Sequence, residues 1–222
     1  MGRGADRAPF PTWTSRGAVA DRRRSSYVLV MRVELHSVFP LRRARVHEVY
    51  GPGAMSFAAM AAMGACLWIR ESWLVDTPTP QGVLPFLDPA GLLMARPKDQ
   101  TDALAVAEEA LKDGALPFVM IEITRALNLR EGRRLQLAAK AGGTTGLCLI
   151  SEGMGSNAAE TRWHIAPVFD RHSEDSTLMR WEINKNKSGT IGAWHVRWEP
   201  KTRRVHVVSP VGERPGSAGT SS

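Results

Sequence analysis

The run from Arg45 to Gly64 holds the residues most ready for chemistry. Val46 to Tyr50 reads as a short buried strand, Gly51-Pro52-Gly53 as a forced turn, and Met55 to Met63 as an Ala/Met-rich helix ended by Gly64. Strand, glycine turn and helix in that order form the frame of a phosphate-binding loop, in which backbone amides at a helix N-terminus cradle the anion. Such a loop reads G-x-x-x-x-G-K-[ST], its lysine reaching the β and γ oxygens and its hydroxyl holding magnesium. Here Gly51 is followed by Pro52, Gly53, Ala54, Met55 and Ser56, and no lysine occurs between Met1 and Ala95. The frame is present and its chemistry is missing, so the expectation is no catalytic residue, no cofactor and no metal at this degenerate loop.

Other chemistries are weaker still. His164, His195 and His206 fall on separate expected strands, and His36, His47 and His172 are scattered without zinc-ligand spacing. Cys66 and Cys148 each sit in an apolar run and read as buried free thiols. No G-x-S-x-G elbow exists, and Gly155-Ser156-Asn157 belongs to a polar loop. Trp163, Trp181, Trp194 and Trp198 lie among Arg162, Arg180, Arg197, Lys185 and Lys187, a mixture suited to stacking bases and neutralising phosphates. Alternation argues otherwise: Trp194, Val196 and Trp198 share one face, which makes them core and leaves Arg197 on a solvated basic face. Met55, Met60 and Met63 read as helix packing.

The elements that must position these residues follow from periodicity. Apolar runs at 65–69, 92–95, 118–123 and 146–150 read as strands. Between them, Thr101 offers an N-cap to a helix closed by Gly114, and Leu129 to Ala141 is a basic amphipathic helix stopped by Gly142-Gly143. Residues 70–89 read as loop, punctuated by Pro78, Pro80, Gly82, Pro85 and Pro89. Strands alternating with helices predict a mainly parallel sheet covered on both faces. After Ser151 the pattern changes to strand-type alternation without helices, at 162–168, 179–184, 193–199 and 205–208, which predicts antiparallel strands extending the sheet.

With 222 residues, 43% hydrophobic and 23% charged, the chain is long enough for one sizeable core. Residues 1–26 are rich in Gly, Pro, Arg and Ser and read as a disordered basic segment, 27–209 as the domain, and 210–222 as a disordered tail. Tyr27 to Leu35 alternates as a loose strand, and Met31 is an alternative start. A net charge of +7 favours acidic partners such as nucleic acid. No apolar run reaches the ~20 residues of a membrane helix, and no secretory signal opens the chain, so a cytoplasmic location is expected.

The pattern resembles the RecA-like core and, more closely, the ImuA family, RecA- and SulA-related proteins of bacterial SOS mutagenesis cassettes. The resemblance spans Arg45 to Val208 and rests on the strings HEVxGP from His47, LWI at 67–69 and LDPAxLL from Leu87. It continues in EEALxxGA from Glu108, RRLQLAA from Arg133 and TRWHIAP from Thr161. It implies a RecA-like α/β fold and a non-hydrolysing accessory factor in translesion DNA synthesis. The implied partners are an inactive Y-family polymerase homologue (ImuB), an error-prone replicative-type polymerase and possibly RecA, with weak non-specific DNA contact and possible self-association. In RecA-like ATPases a glutamate after the second strand activates water. Here Arg70 and Glu71 follow Ile69, which puts that acid one position out of register, while Glu122 takes the place of the metal-organising acid. Lys185-Asn186-Lys187 resembles a segment that in RecA faces the neighbouring subunit's nucleotide. The expected contact residues are Arg42, Arg43, Arg45, Lys185, Lys187, Arg197, Arg203 and Arg204. About four phosphate contacts among the arginines would give a salt slope of about −3.6 on duplex DNA. Two rivals stand beside this reading: a DNA-stimulated ATPase borrowing Lys98 or the Lys185/Lys187 pair, and a SulA-type cell-division inhibitor.

Overall fold

The computed structural model describes residues 34–169, 177–189 and 191–210. Expectations placed on 1–33, on His172 and on the tail beyond Pro210 lie outside these residues.

Nine strands form one sheet. The parallel part is built from β1 (Val46–Tyr50), β2 (Cys66–Ile69), β3 (Leu92–Ala95), β4 (Phe118–Glu122) and β5 (Thr145–Leu149). It is joined by β6 (Thr161–Pro167), β7 (Leu178–Asn186), β8 (Gly192–Glu199) and β9 (Arg204–Pro210), in the order β3-β2-β4-β5-β1-β6-β7-β8-β9. The expectation that all four late strands are antiparallel is corrected at β6, which pairs parallel with β1 through Val49↔Trp163 and Tyr50↔His164. From there on the pairings β6–β7, β7–β8 and β8–β9 are antiparallel, as expected.

Alternation along these strands divides the core in two. On one face Val46, Val119, Ile121 and Cys148 pack under α3 (Gln100–Asp113) and α4 (Leu129–Gly142). On the other, Val49, Trp68, Met120 and Leu147 meet α1 (Ala54–Ala62), and that core runs on without a break into Trp163, Trp181, Trp194 and Trp198. Phe39 and Phe57 lie against the Trp181 ring, at centroid distances of 5.0 and 4.8 Å. The tryptophans are therefore core, and no base can stack on them. From Phe57 to Ala62 every residue of α1 is buried, as expected of a helix apolar all round.

Local signals account for most element ends. Asn128 and Glu131 form a reciprocal capping box at the start of α4, and Gly143 closes it in the left-handed region. The Thr101 cap is corrected: Asp99, a stronger N-cap, accepts the Asp102 amide at 3.0 Å and starts α3 at Gln100. The left-handed residue after α1 is Met63 (φ 49°) and not Gly64. Of the methionines assigned to the core only Met60 is buried, whereas Met55 is at the first turn and Met63, 65% exposed, has left the helix. The 70–89 loop also contains a one-turn helix, α2 (Pro80–Val83), capped by Thr79. Leu35 starts a 3₁₀ turn and does not extend a strand.

Candidate functional site

The turn between β1 and α1 is Gly51-Pro52-Gly53 alone, far shorter than a loop that arches around a phosphate. It lies flat on β6. The Gly53 amide donates to the Ile165 carbonyl at 3.0 Å, and Ala54 N–H returns to Gly51 O at 3.0 Å. Gly51 adopts φ +97°, and a Cβ there would stand 2.5 Å from Ile165 O and 2.7 Å from His164 Cδ2. Glycine is required for this close approach, and the approach spends an amide that a phosphate would need. Ala54, Met55 and Ser56 then enter the helix; no side chain caps it.

Glu122, at the end of β4, is held by the chain's own cation. Arg70 Nε stands 3.3 Å from Glu122 Oε1, an ion pair without hydrogen-bond alignment, and Trp68 Nε1–H donates to the same oxygen at 2.8 Å. The Arg70 guanidinium also donates to the Asp76 carbonyl. Burial raises the Glu122 carboxyl above its usual range, while Arg70 chiefly, then the Trp68 bond and Arg96, oppose the shift. Glu71 is buried and turned to structural work. It accepts from the Thr124 hydroxyl and, at 2.6 Å, from the Trp73 indole. Lys98 lies 3.4 Å from Asp102. Among the described residues no group of three or more His, Cys, Asp or Glu side chains is placed to hold a metal ion. A nucleotide-metal complex does not fit here: the turn offers neither cradle nor lysine, and an arginine already engages the acid.

The expected contact residues separate into groups. Arg42, Arg45, Lys185 and Lys187 gather around the loop 155–160. Glu160 receives Arg42 at 3.2 Å and Arg45 at 3.6 Å. Lys185 Nζ donates to Ser156 O at 2.8 Å, and Lys187 Nζ to Ala158 O at 2.6 Å. Arg43 lines a hollow beside Met63, and Arg203 and Arg204 line a second cavity, of about 250 Å³, that Met63 also borders. Arg197 stands apart on β8. It is half-buried, which corrects its placement on an open solvated face.

The loop is fastened by residues that sequence reasoning passed over. Buried Glu48 accepts the Ser156 amide and Arg162 Nε, each at 2.8 Å, and Arg162 Nη2 donates to Ser156 O at 2.9 Å. Gln136 on α4 clasps β1 and the loop together, bonding Val46 N, Val46 O and Ala158 O. Gly132 allows the contact, since a Cβ there would meet Ala158 Cβ and Ser156 Oγ, each at 2.7 Å. A signal existed: a carboxylate inside a strand expected to be buried, 46–50, must find a partner. Lys185 is thus half-buried rather than free; burial lowers its ammonium below the ordinary range, Arg162 adds to this and Glu48 opposes it.

No known protein-family model matches the chain, and no curated protein matches its sequence. Among solved structures, a crystal structure of the RadB recombinase is similar with TM-score 0.56 and 12% identity, over 79% of this chain and 96% of that one. Identity that low speaks to fold alone, and the fold is RecA-like: a mainly parallel sheet with helices on both faces and antiparallel C-terminal strands. No helix among the described residues is long and apolar enough to cross a membrane.

Proposed function

We propose that this RecA-like chain is a non-hydrolysing adaptor in SOS-induced, error-prone translesion DNA synthesis. It bridges an inactive Y-family polymerase homologue, an error-prone replicative-type polymerase and DNA. The observation that carries the reading is the β1–α1 turn: it has three residues and no lysine, and its Gly53 amide is bonded to Ile165 O. Phosphoryl transfer depends on several positioned charges acting at once, and here Arg70 already occupies Glu122. The lysines that an ATPase would borrow are engaged, Lys98 beside Asp102 and Lys185 and Lys187 on the loop carbonyls. The choice of partners rests on the ImuA-like strings.

The test uses the full-length protein with ATP, magnesium and single-stranded DNA. The expected result is no turnover above background, together with co-purification of the polymerase components and loss of damage-induced mutation on deletion. DNA-stimulated ATP hydrolysis would overturn the reading. Filamentation on overexpression with an unchanged mutation rate would replace it with the cell-division inhibitor.

A further inference from the structure

The strongest unassigned feature is the groove between α4 and the loop 155–160. It measures about 490 Å³ and is lined by Leu129, Arg133, Leu137, Asn157, Ala158 and Lys187, together with Gln136. Leu129, Arg133 and Leu137 recur every fourth residue, so they form one stripe along α4, apolar-basic-apolar. The opposite side of α4 is filled by Leu135, Ala138 and Ala139, yet Leu129 is 48% exposed and Leu137 is 67% exposed. A single exposed leucine needs no explanation; two on the wall of a groove form a surface. The facing wall is the loop fastened by Glu48, Arg162, Gln136 and Lys187. A groove with fixed walls loses little freedom when something enters it.

We infer that this groove docks an acidic segment of a partner polypeptide, anchored by a large aliphatic or aromatic side chain. This deepens the adaptor reading and rests on it. Charge decides the occupant. Arg133 makes no ion pair among the described residues, and Lys187 spends one of its N–H groups on Ala158 O. No carboxylate lines the groove, and the nearby Glu131 is taken by Arg125 and by the Asn128 amide. Leucines beside unpaired cations match carboxylates set beside an apolar anchor. The lining has no aromatic ring on which a base could stack, which disfavours single-stranded nucleic acid. Residues 1–33 of the chain itself hold seven arginines against two aspartates, and like charge disfavours them as occupant. A second copy meeting its own basic stripe is disfavoured in the same way.

The experiment pans a random peptide library, displayed on phage, against the full-length protein. Recovered peptides are then measured by fluorescence polarisation. Enriched sequences should combine Asp or Glu with Leu or Phe, and binding should weaken with salt. Leu137→Asp and Arg133→Glu should each reduce affinity at least tenfold, while Lys140→Glu, on the same helix outside the groove, should leave it unchanged. Both altered side chains are exposed, and far-UV circular dichroism checks that the variants fold; if one does not, the other decides. The inference fails if nothing is enriched, if the peptides show no acidic bias, or if both variants bind as well as the parent. It also fails if DNA displaces the peptides and binds equally to Leu137→Asp, or if the groove is covered by a dimer that Leu137→Asp dissolves. Peptide capture through Leu137 and Arg133 alongside ATP turnover would keep the groove and discard the adaptor. Loss of capture without turnover would discard the groove alone.

Discussion

His47 is placed inside the sheet with both ring nitrogens committed. Nε2 is 2.9 Å from the Arg42 carbonyl, so it must donate; Nδ1 is 2.7 Å from Thr161 Oγ1, whose hydroxyl also accepts the Trp163 indole N–H at 2.8 Å. With the imidazole neutral, the Thr161 hydroxyl donates to Nδ1 while its oxygen accepts from the indole. Burial lowers the pKa of His47 to about 4, against 6.5 for a free histidine; Glu160 and the Arg42 carbonyl oppose the shift only in part. Because the unfolded chain takes up this proton first, stability is full above pH ~6.5, falls as pH drops, and levels off below pH ~4. Two and a half pH units at about 1.4 kcal/mol each give a loss of roughly 3–4 kcal/mol. Thermal melts from pH 7 to 4 should show the decline, and His47→Gln should flatten it; an equal slope in the variant would assign the proton elsewhere. The sequence could not reveal this role, since Thr161, whose hydroxyl completes the relay, lies 114 residues from His47 in the chain.

At the scale of elements, the α4–loop junction decides which lysine matters. Lys185 and Lys187 read alike in the sequence, both as expected contact residues. In the structure Lys185 is half-buried on Ser156 O and Lys187 exposed on Ala158 O. Each carbonyl keeps another donor, Arg162 for Ser156 and Gln136 for Ala158, so neither is orphaned by truncation. Lys185→Ala should then cost about 1 kcal/mol and Lys187→Ala less than ~0.5. Gly132→Val drives side-chain atoms into Ala158 and Ser156 and should cost ~1–3 kcal/mol, the largest of the three. Urea denaturation midpoints should follow that order, and equal midpoints for Gly132→Val and the parent would mean the loop stands off α4. Periodicity and terminating glycines announced α3, α4 and the strands because those signals are local. The loop was unreadable because its fasteners come from β1, α4, β6 and β7.

Across the whole molecule, the arginines do not form one basic surface. Arg42 and Arg45 are drawn to Glu160, whereas Arg43, Arg203 and Arg204 are exposed near Met63 without an ion pair among the described residues. If those three meet duplex DNA, the affinity should fall with log salt at a slope of about −2.7 rather than the −3.6 expected from the sequence. A slope of about −4.5 that drops to about −2.7 when Arg42 and Arg45 are replaced by alanine would show that DNA pulls both away from Glu160.

The tryptophan wall has an optical consequence. Trp163 lies 6.2 Å from both Trp181 and Trp194, at ring angles of 83° and 37°, close enough for their excited states to couple. The same rings share a core with Val49 and Phe57 of the parallel half. Their near-ultraviolet dichroism and emission therefore form a built-in reporter of the junction between the two halves of the sheet. A signal that vanishes in step with the far-ultraviolet helix bands marks a sheet that melts as one body. One that vanishes earlier marks an antiparallel wing able to peel away from an intact parallel core.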